Sequence, residues 1–186
     1  MTKSYDKHYQ EPNYFGDPYP ELIEFFKLQQ SGKLLDLGCG QGRNALPLAR
    51  LGFKVTGIDS SKVGIAQMLD HGKNENLDII GKVDDIYKYK NFKEFDYILL
   101  DSMFHFLKRD RVKETNLVKR IIDRSKTGTT TVFCIRDSGN KVKILNESID
   151  HNGSKPERLL DRSIKYSFAH EGQTSDIDYK IIAVKK

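Results

Sequence analysis

The sequence predicts an α/β fold built on a doubly wound, mostly parallel sheet, and three observations predict it. From Lys33 onward, short β-branched or leucine-rich runs alternate with longer amphipathic stretches, the rhythm of strand–helix–strand units. A glycine-rich turn follows the first of these runs, at residues 38–42. Near the other end, Ile164, Tyr166 and Phe168 alternate with polar residues, as do Tyr179, Ile181 and Ala183. Two such segments around the polar stretch Glu171 to Asp176 read as an antiparallel hairpin on the sheet edge.

The first strand is Leu34-Leu35-Asp36-Leu37. A helix follows from about Arg43 to Leu51, and Gly52 stops it. Pro47 is tolerated only in the first turn, which moves the start to Asn44 or later. The second strand is Lys54 to Ile58, and Ser60 or Ser61 caps the next helix, whose apolar face carries Val63, Ile65, Ala66 and Leu69. A weak third strand covers Asp78 to Ile80, with room to reach Val83. The fourth, Phe95 to Leu100, is stronger. A helix carrying Leu117, Val118, Ile121 and Ile122 ends before Gly128, and the fifth strand is Thr129 to Ile135. Ahead of the first strand, Pro20 opens a short helix with Leu22, Phe25 and Phe26 on one face. The tyrosine-rich arm before it has no clear periodicity. Tyr5, Tyr9, Tyr14 and Phe15 there either cover a ligand or pack on the helix at Pro20.

With 186 residues, one domain is expected. Lys and Arg number 31 against 26 Asp and Glu, a net +5, which permits contact with nucleic acid without requiring it. The only dense basic run, Lys108-Arg109-Asp110-Arg111, is interrupted by an acid. Cys39 and Cys134 are too few and too far apart for a disulfide framework or a zinc site, and no metal site is expected. No window approaches the roughly 20 apolar residues of a membrane span, and charges follow Met1-Thr2-Lys3-Ser4 where a signal peptide is apolar. A cytoplasmic protein without membrane contact is therefore expected, as monomer or homodimer.

Asp36-Leu37-Gly38-Cys39-Gly40-Gln41-Gly42 carries the chemistry. Alternate glycines let the backbone turn tightly and let a ligand approach without meeting a Cβ. The next helix N-terminus offers unpaired N–H groups to a carboxylate or phosphate. Asp59 ends the second strand, where an acid accepts hydrogen bonds from both hydroxyls of a ribose. An adenosine-containing ligand is implied. Dinucleotide sites use Gly-x-Gly-x-x-Gly, and here the third glycine falls one residue early.

Gly-x-Gly-x-Gly with an acid two residues upstream resembles the class I, Rossmann-like S-adenosylmethionine-dependent methyltransferases. Gly38 to Asn44 followed by Leu51 to Asp59 is similar to the tellurite-resistance type and its small-molecule relatives. That resemblance implies a seven-stranded sheet of order 3-2-1-4-5-7-6 with one antiparallel strand, flanked by helices. It implies S-adenosylmethionine as cofactor, with Asp36, Gly38, Cys39, Gly40 and Gly42 at its methionine part. Asp59 and Ser60 fall at the ribose, and Asp85 or Asp84 with Ile86 at the adenine. Cys39 reads as a small residue fitting the turn, not as a nucleophile.

Methyl transfer needs an aligned acceptor lone pair, and a base only where the acceptor loses a proton. The candidates are Asp101 and His105 in Asp101-Ser102-Met103-Phe104-His105-Phe106. Asp101 is also a candidate cofactor contact, or merely a cap. The Asn/Asp-Pro-Pro-Tyr/Phe run of DNA and some protein-amide methyltransferases is absent, which lowers that reading. The short loops after the fourth and fifth strands leave little room for a macromolecule-binding domain, which favours a small-molecule acceptor. An RNA or protein methyltransferase docking through basic surface is the alternative, with a non-catalytic cofactor binder and a nicotinamide oxidoreductase behind it.

Overall fold

The computed structural model describes residues 3–153, 155–170 and 173–186. Its strands are β1 (Lys33–Leu37), β2 (Lys54–Asp59), β3 (Ile79–Val83), β4 (Tyr97–Asp101), β5 (Thr130–Arg136), β6 (Glu157–His170) and β7 (Gln173–Lys185). The helices are α1 (Lys3–His8), α2 (Pro20–Lys27), α3 (Ala45–Arg50), α4 (Lys62–Asn74), α5 (Arg111–Arg124) and α6 (Lys141–Ile149). The sheet runs β3-β2-β1-β4-β5-β7-β6. β1 pairs in parallel with β2 and β4, and β2 with β3. β7 is antiparallel to both neighbours. This is the order and the single reversed strand that the sequence implied.

The residues form two compact units. The first comprises Met1–Tyr89 with Tyr97–Leu99, the second Lys90–Asp96 with Leu100–Lys186. In the first, β1 buries Leu34, Leu35 and Leu37 completely, so it is covered on both faces, as a parallel central strand must be. Phe26 of α2, Phe53 and Tyr97 meet edge to face, with centroids 5.3–5.8 Å apart. Leu48 and Met68 complete the core from α3 and α4. In the second unit, Phe133 and Ile135 of β5 are buried with Leu117, Val118 and Ile121 of α5. Leu145 and Ile149 of α6 and Ile181–Val184 of β7 are buried there too.

Several boundaries move. α3 starts at Ala45, which leaves Pro47 inside the first turn as its missing N–H requires. Ser61, and not Ser60, caps α4: its Oγ accepts the Gly64 N–H at 3.0 Å. β3 reaches Val83. β4 begins at Tyr97, because residues 92–94 form a 3-10 turn that carries Phe95 as its cap.

The hairpin connection is shorter than the polar run suggested. β6 and β7 pair as far as His170 opposite Gln173, and Glu171 and Gly172 lie outside the described residues. A polar composition does not stop pairing where one face needs no burial. The sequence reading missed α6 entirely, although Ile144, Leu145, Ser148 and Ile149 repeat at helical spacing and are buried. α1 appears in the arm that shows no periodicity.

Candidate active site

The glycine turn and β2 are locked together in the first unit. Gly38 and Cys39 N–H both donate to Ile58 O, at 2.7 and 3.2 Å. Gly40 and Gly42 have φ of +51° and +89°, a region that favours glycine. Space as well as φ forbids a side chain. A Cβ on Gly42 would lie 2.7 Å from Met68 Cγ, and one on Gly40 only 2.5 Å from Tyr9 Oη.

Asp59 sits at the carboxyl end of β2, and each carboxylate oxygen takes a backbone N–H: Gly40 at 3.0 Å and Ser61 at 2.7 Å. One side chain therefore ties the glycine turn to the start of α4. The two carboxylate oxygens carry about four lone pairs between them, more than these backbone N–H groups use, so the side chain retains capacity to accept a ribose hydroxyl. Burial raises the Asp59 pKa above the usual carboxylate value, while the N–H groups of Ser61, Gly40 and Ser60 pull it back. Asp36 is also buried, and Ser60 is half-buried beside Asp59.

Cys39 is buried, and its Sγ lies 2.7 Å from where Gly57 would carry a Cβ. It fits because Gly57 leaves room. Burial first, then Asp36 and Asp59, push its thiol pKa up, so it is a packing residue and not a reactive thiolate.

After β3, Asp84 N–H donates to Asp59 O at 3.0 Å, tying this loop to β2. Asp85 is half-buried and accepts the Tyr87 N–H at 2.9 Å, forming a local Asx-type turn. Asp84 is exposed and accepts the Asp85 N–H at 2.7 Å. Ile86 is buried.

The arm lies on this loop system. Ser61 Oγ donates to Asp6 Oδ1 at 2.5 Å. Gln67 Nε2 donates to Tyr9 O and Gln41 Nε2 to Glu11 O, each at 2.8 Å. Tyr9 is 3% exposed, packed on Gly40 and Gly64 and against the Tyr5 and Phe15 rings. Burial, with Asp59 and Cys39 adding, holds the Tyr9 phenol far above its ordinary pKa. Of the two fates open to the arm tyrosines, Tyr9 covers the glycine turn. Sequence reasoning missed the anchors Gln41 and Gln67, and saw Ser61 only as a possible helix cap; the partners of Gln67 and Ser61 lie 55 or more positions away, and only folding brings them together.

In the second unit, Asp101 ends β4 half-buried and its Oδ1 accepts the Ser102 hydroxyl at 2.9 Å. Ser102 Oγ is 3.4 Å from Tyr179 Oη. His105 is exposed, whereas Phe104 and Phe106 are buried and stack at 5.5 Å. The phenylalanines are core, and His105 is the side chain left toward solvent. Glu114 on α5 is buried and accepts backbone N–H groups from this loop. The sequence reading did not single it out, because acids on a helix are usually solvated.

Strand order, a glycine turn closed by an acid at the end of β2, and an inserted antiparallel β7 together define the class I, Rossmann-like methyltransferase fold. The profile described as tellurite resistance protein TehB matches residues 2–141, more than half of the chain. The chain belongs to the TehB family. It is 34% identical over 108 residues to the probable S-adenosyl-L-methionine-dependent methyltransferase TehB of Haemophilus influenzae, covering 58% of this chain and 37% of that one. A ubiquinone biosynthesis O-methyltransferase of Pelagibacter ubique is 34% identical over 128 residues, covering 61% and 53%. The chain thus spans between about a third and a half of these curated relatives. Among solved structures, TehB from Haemophilus influenzae superposes with a TM-score of 0.74 at 23% identity, covering 94% of this chain and 66% of that one. The N-methyltransferase NodS of Bradyrhizobium japonicum gives 0.73 at 15% identity, covering 99% and 97%.

Proposed function

We propose that this chain transfers a methyl group from S-adenosylmethionine to a small-molecule acceptor. The observation that carries the reading is Asp59 at the carboxyl end of β2, its carboxylate held by the Gly40 and Ser61 N–H groups against a turn of positive-φ glycines. The residues fit the cofactor. Asp36 and the turn from Gly38 through Cys39 and Gly40 to Gly42 would hold its methionine part. Asp59 with Ser60 would take the ribose, and the Asp84–Ile86 turn the adenine, with Asp85 the better placed acid because it is half-buried.

When bound, the cofactor supplies a methyl carbon activated by the adjoining sulfonium. The chain's own work is to bind, align and exclude water. Tyr9 and the arm close the glycine turn from solvent. Asp101 either orients the acceptor or receives its proton, and the exposed imidazole of His105 is the second candidate for that proton. A small acceptor is favoured by the short connections after β4 and β5, residues 102–110 and 137–140, which leave little room for a macromolecule-binding segment. Cys39 and Cys134 are buried and outside any disulfide, which favours a reducing, cytoplasmic setting.

Calorimetry with S-adenosylmethionine, S-adenosylhomocysteine and NADH, on wild type and Asp59→Ala, tests the reading. Micromolar binding of the first two and its loss in the variant is expected; binding of NADH alone would sink it. Radiolabelled methyl transfer to tellurite, small amines, phenols and thiols then identifies the acceptor. Salt-sensitive RNA binding would favour a macromolecular acceptor instead.

A further inference from the structure

The loop after β4 is held in a conformation its own residues disfavour. Ser102 and Phe106 have φ of +58° and +49°, a left-handed region costly for residues with a Cβ, above all a bulky one. Such conformations persist only where the surroundings over-determine them. At the first end, Ser102 N–H donates to Cys134 O of β5 at 2.9 Å. At the other, one Glu114 oxygen accepts the Phe106 N–H at 2.6 Å and the second approaches the His105 N–H at 3.4 Å. Arg111 Nε reaches Phe106 O at 3.5 Å. Glu114 is 3% exposed, so its carboxylate has left water for these donors, a burial that needs such compensation.

Between the two strained residues stand the exposed His105 and the buried Phe104, and Asp101 adjoins the first. The Ser102 hydroxyl joins Asp101 to Tyr179, whose ring meets Tyr166 at right angles with centroids 6.4 Å apart. We propose that Glu114 is a positioning residue of the methyl-acceptor subsite: its buried carboxylate fixes the turn that holds Asp101 and Ser102 beside Tyr179 and leaves His105 outward. This rests on the methyltransferase reading, in which the acceptor lies beyond the carboxyl end of β4.

Glu114→Gln keeps the shape and one accepting oxygen; Glu114→Ala removes both. Amide hydrogen exchange at His105 and Phe106 should quicken in the order wild type, Gln, Ala, by tenfold or more in Gln. S-adenosylhomocysteine affinity and the Tm of the Gln variant should stay near wild type. With potassium tellurite as probe acceptor, kcat should fall tenfold or more while KM for S-adenosylmethionine holds. Unchanged exchange at the two amides, or wild-type kcat in the Ala variant, would overturn the inference. Exchange needs no acceptor, so it judges Glu114 even if tellurite is inert. The methyltransferase reading fails separately, by wild type not binding S-adenosylhomocysteine.

Discussion

The loops that leave β1 and β4 solve one problem in opposite ways. Both turn sharply at a strand's carboxyl end, and both use positive φ. The β1 loop places glycine at each such position, 38, 40 and 42, so the turn itself presents backbone, which Tyr9 covers at Gly40. The β4 loop uses Ser102 and Phe106 and relies on a buried acid and a β5 carbonyl to keep them there. Bare backbone suits a ligand that is always the same. A loop that retains its side chains suits recognition that must differ from one enzyme to the next, since side chains carry the specificity.

That contrast can be broken first at Asp59. Asp59→Ala removes two charge-assisted acceptors, each worth about 1.5 kcal/mol, so S-adenosylhomocysteine affinity measured by calorimetry should drop about 100-fold. Asp101→Asn should leave that affinity intact and lower kcat, by about 100-fold if the carboxylate takes a proton. A variant that weakens cofactor binding equally would erase the division of labour. Gly42→Ala meets Met68 and Leu46 at a strained φ, and should cost about 2 kcal/mol, a Tm loss of about 4–8 °C by calorimetric scan.

pH sharpens the comparison more gently. Asp59 has a raised pKa, so cofactor affinity should fall on acidification through that raised value, above the usual aspartate midpoint. The stability effect has the opposite sign. A carboxyl protonated more readily folded than unfolded favours folding at low pH, and that contribution is lost as pH rises through the window between the two pKa values. Titration by calorimetry and by Tm should therefore diverge, and Asp59→Ala should abolish both trends. The smallest effect belongs to Ser102→Gly. Relief of strain offsets the lost hydroxyl contacts, so Tm should move by less than about 2 °C, where Gly42→Ala moves it clearly.

The same contrast decides what the sequence could disclose. Gly38, Gly40 and Gly42 were legible because their constraint is local, spacing along the chain being spacing in the turn, and Asp59 because its place at the end of a recognisable strand fixes it. The strand order followed from that resemblance and held. Glu114 was not legible, because nothing on α5 says which of its acids meets a distant loop. Ser61 was half-legible, as one of two possible caps. Gln41 and Gln67 read as ordinary polar residues until α1 and its following turn are seen across them. α6 was present as a periodic face and overlooked between stronger signals.

The position of β7 bears on how the chain is made. Among the described residues β6 pairs with β7 alone, and β7 stands between it and β5. During vectorial synthesis β6 therefore emerges before its native partner and must wait for a strand translated later, while the β5 edge stands open. The glycine turn, by contrast, finds β2 within about 20 residues of synthesis. The cofactor half can fold on the ribosome while the hairpin half remains an unpaired ribbon, the interval in which exposed strand edges most need shielding.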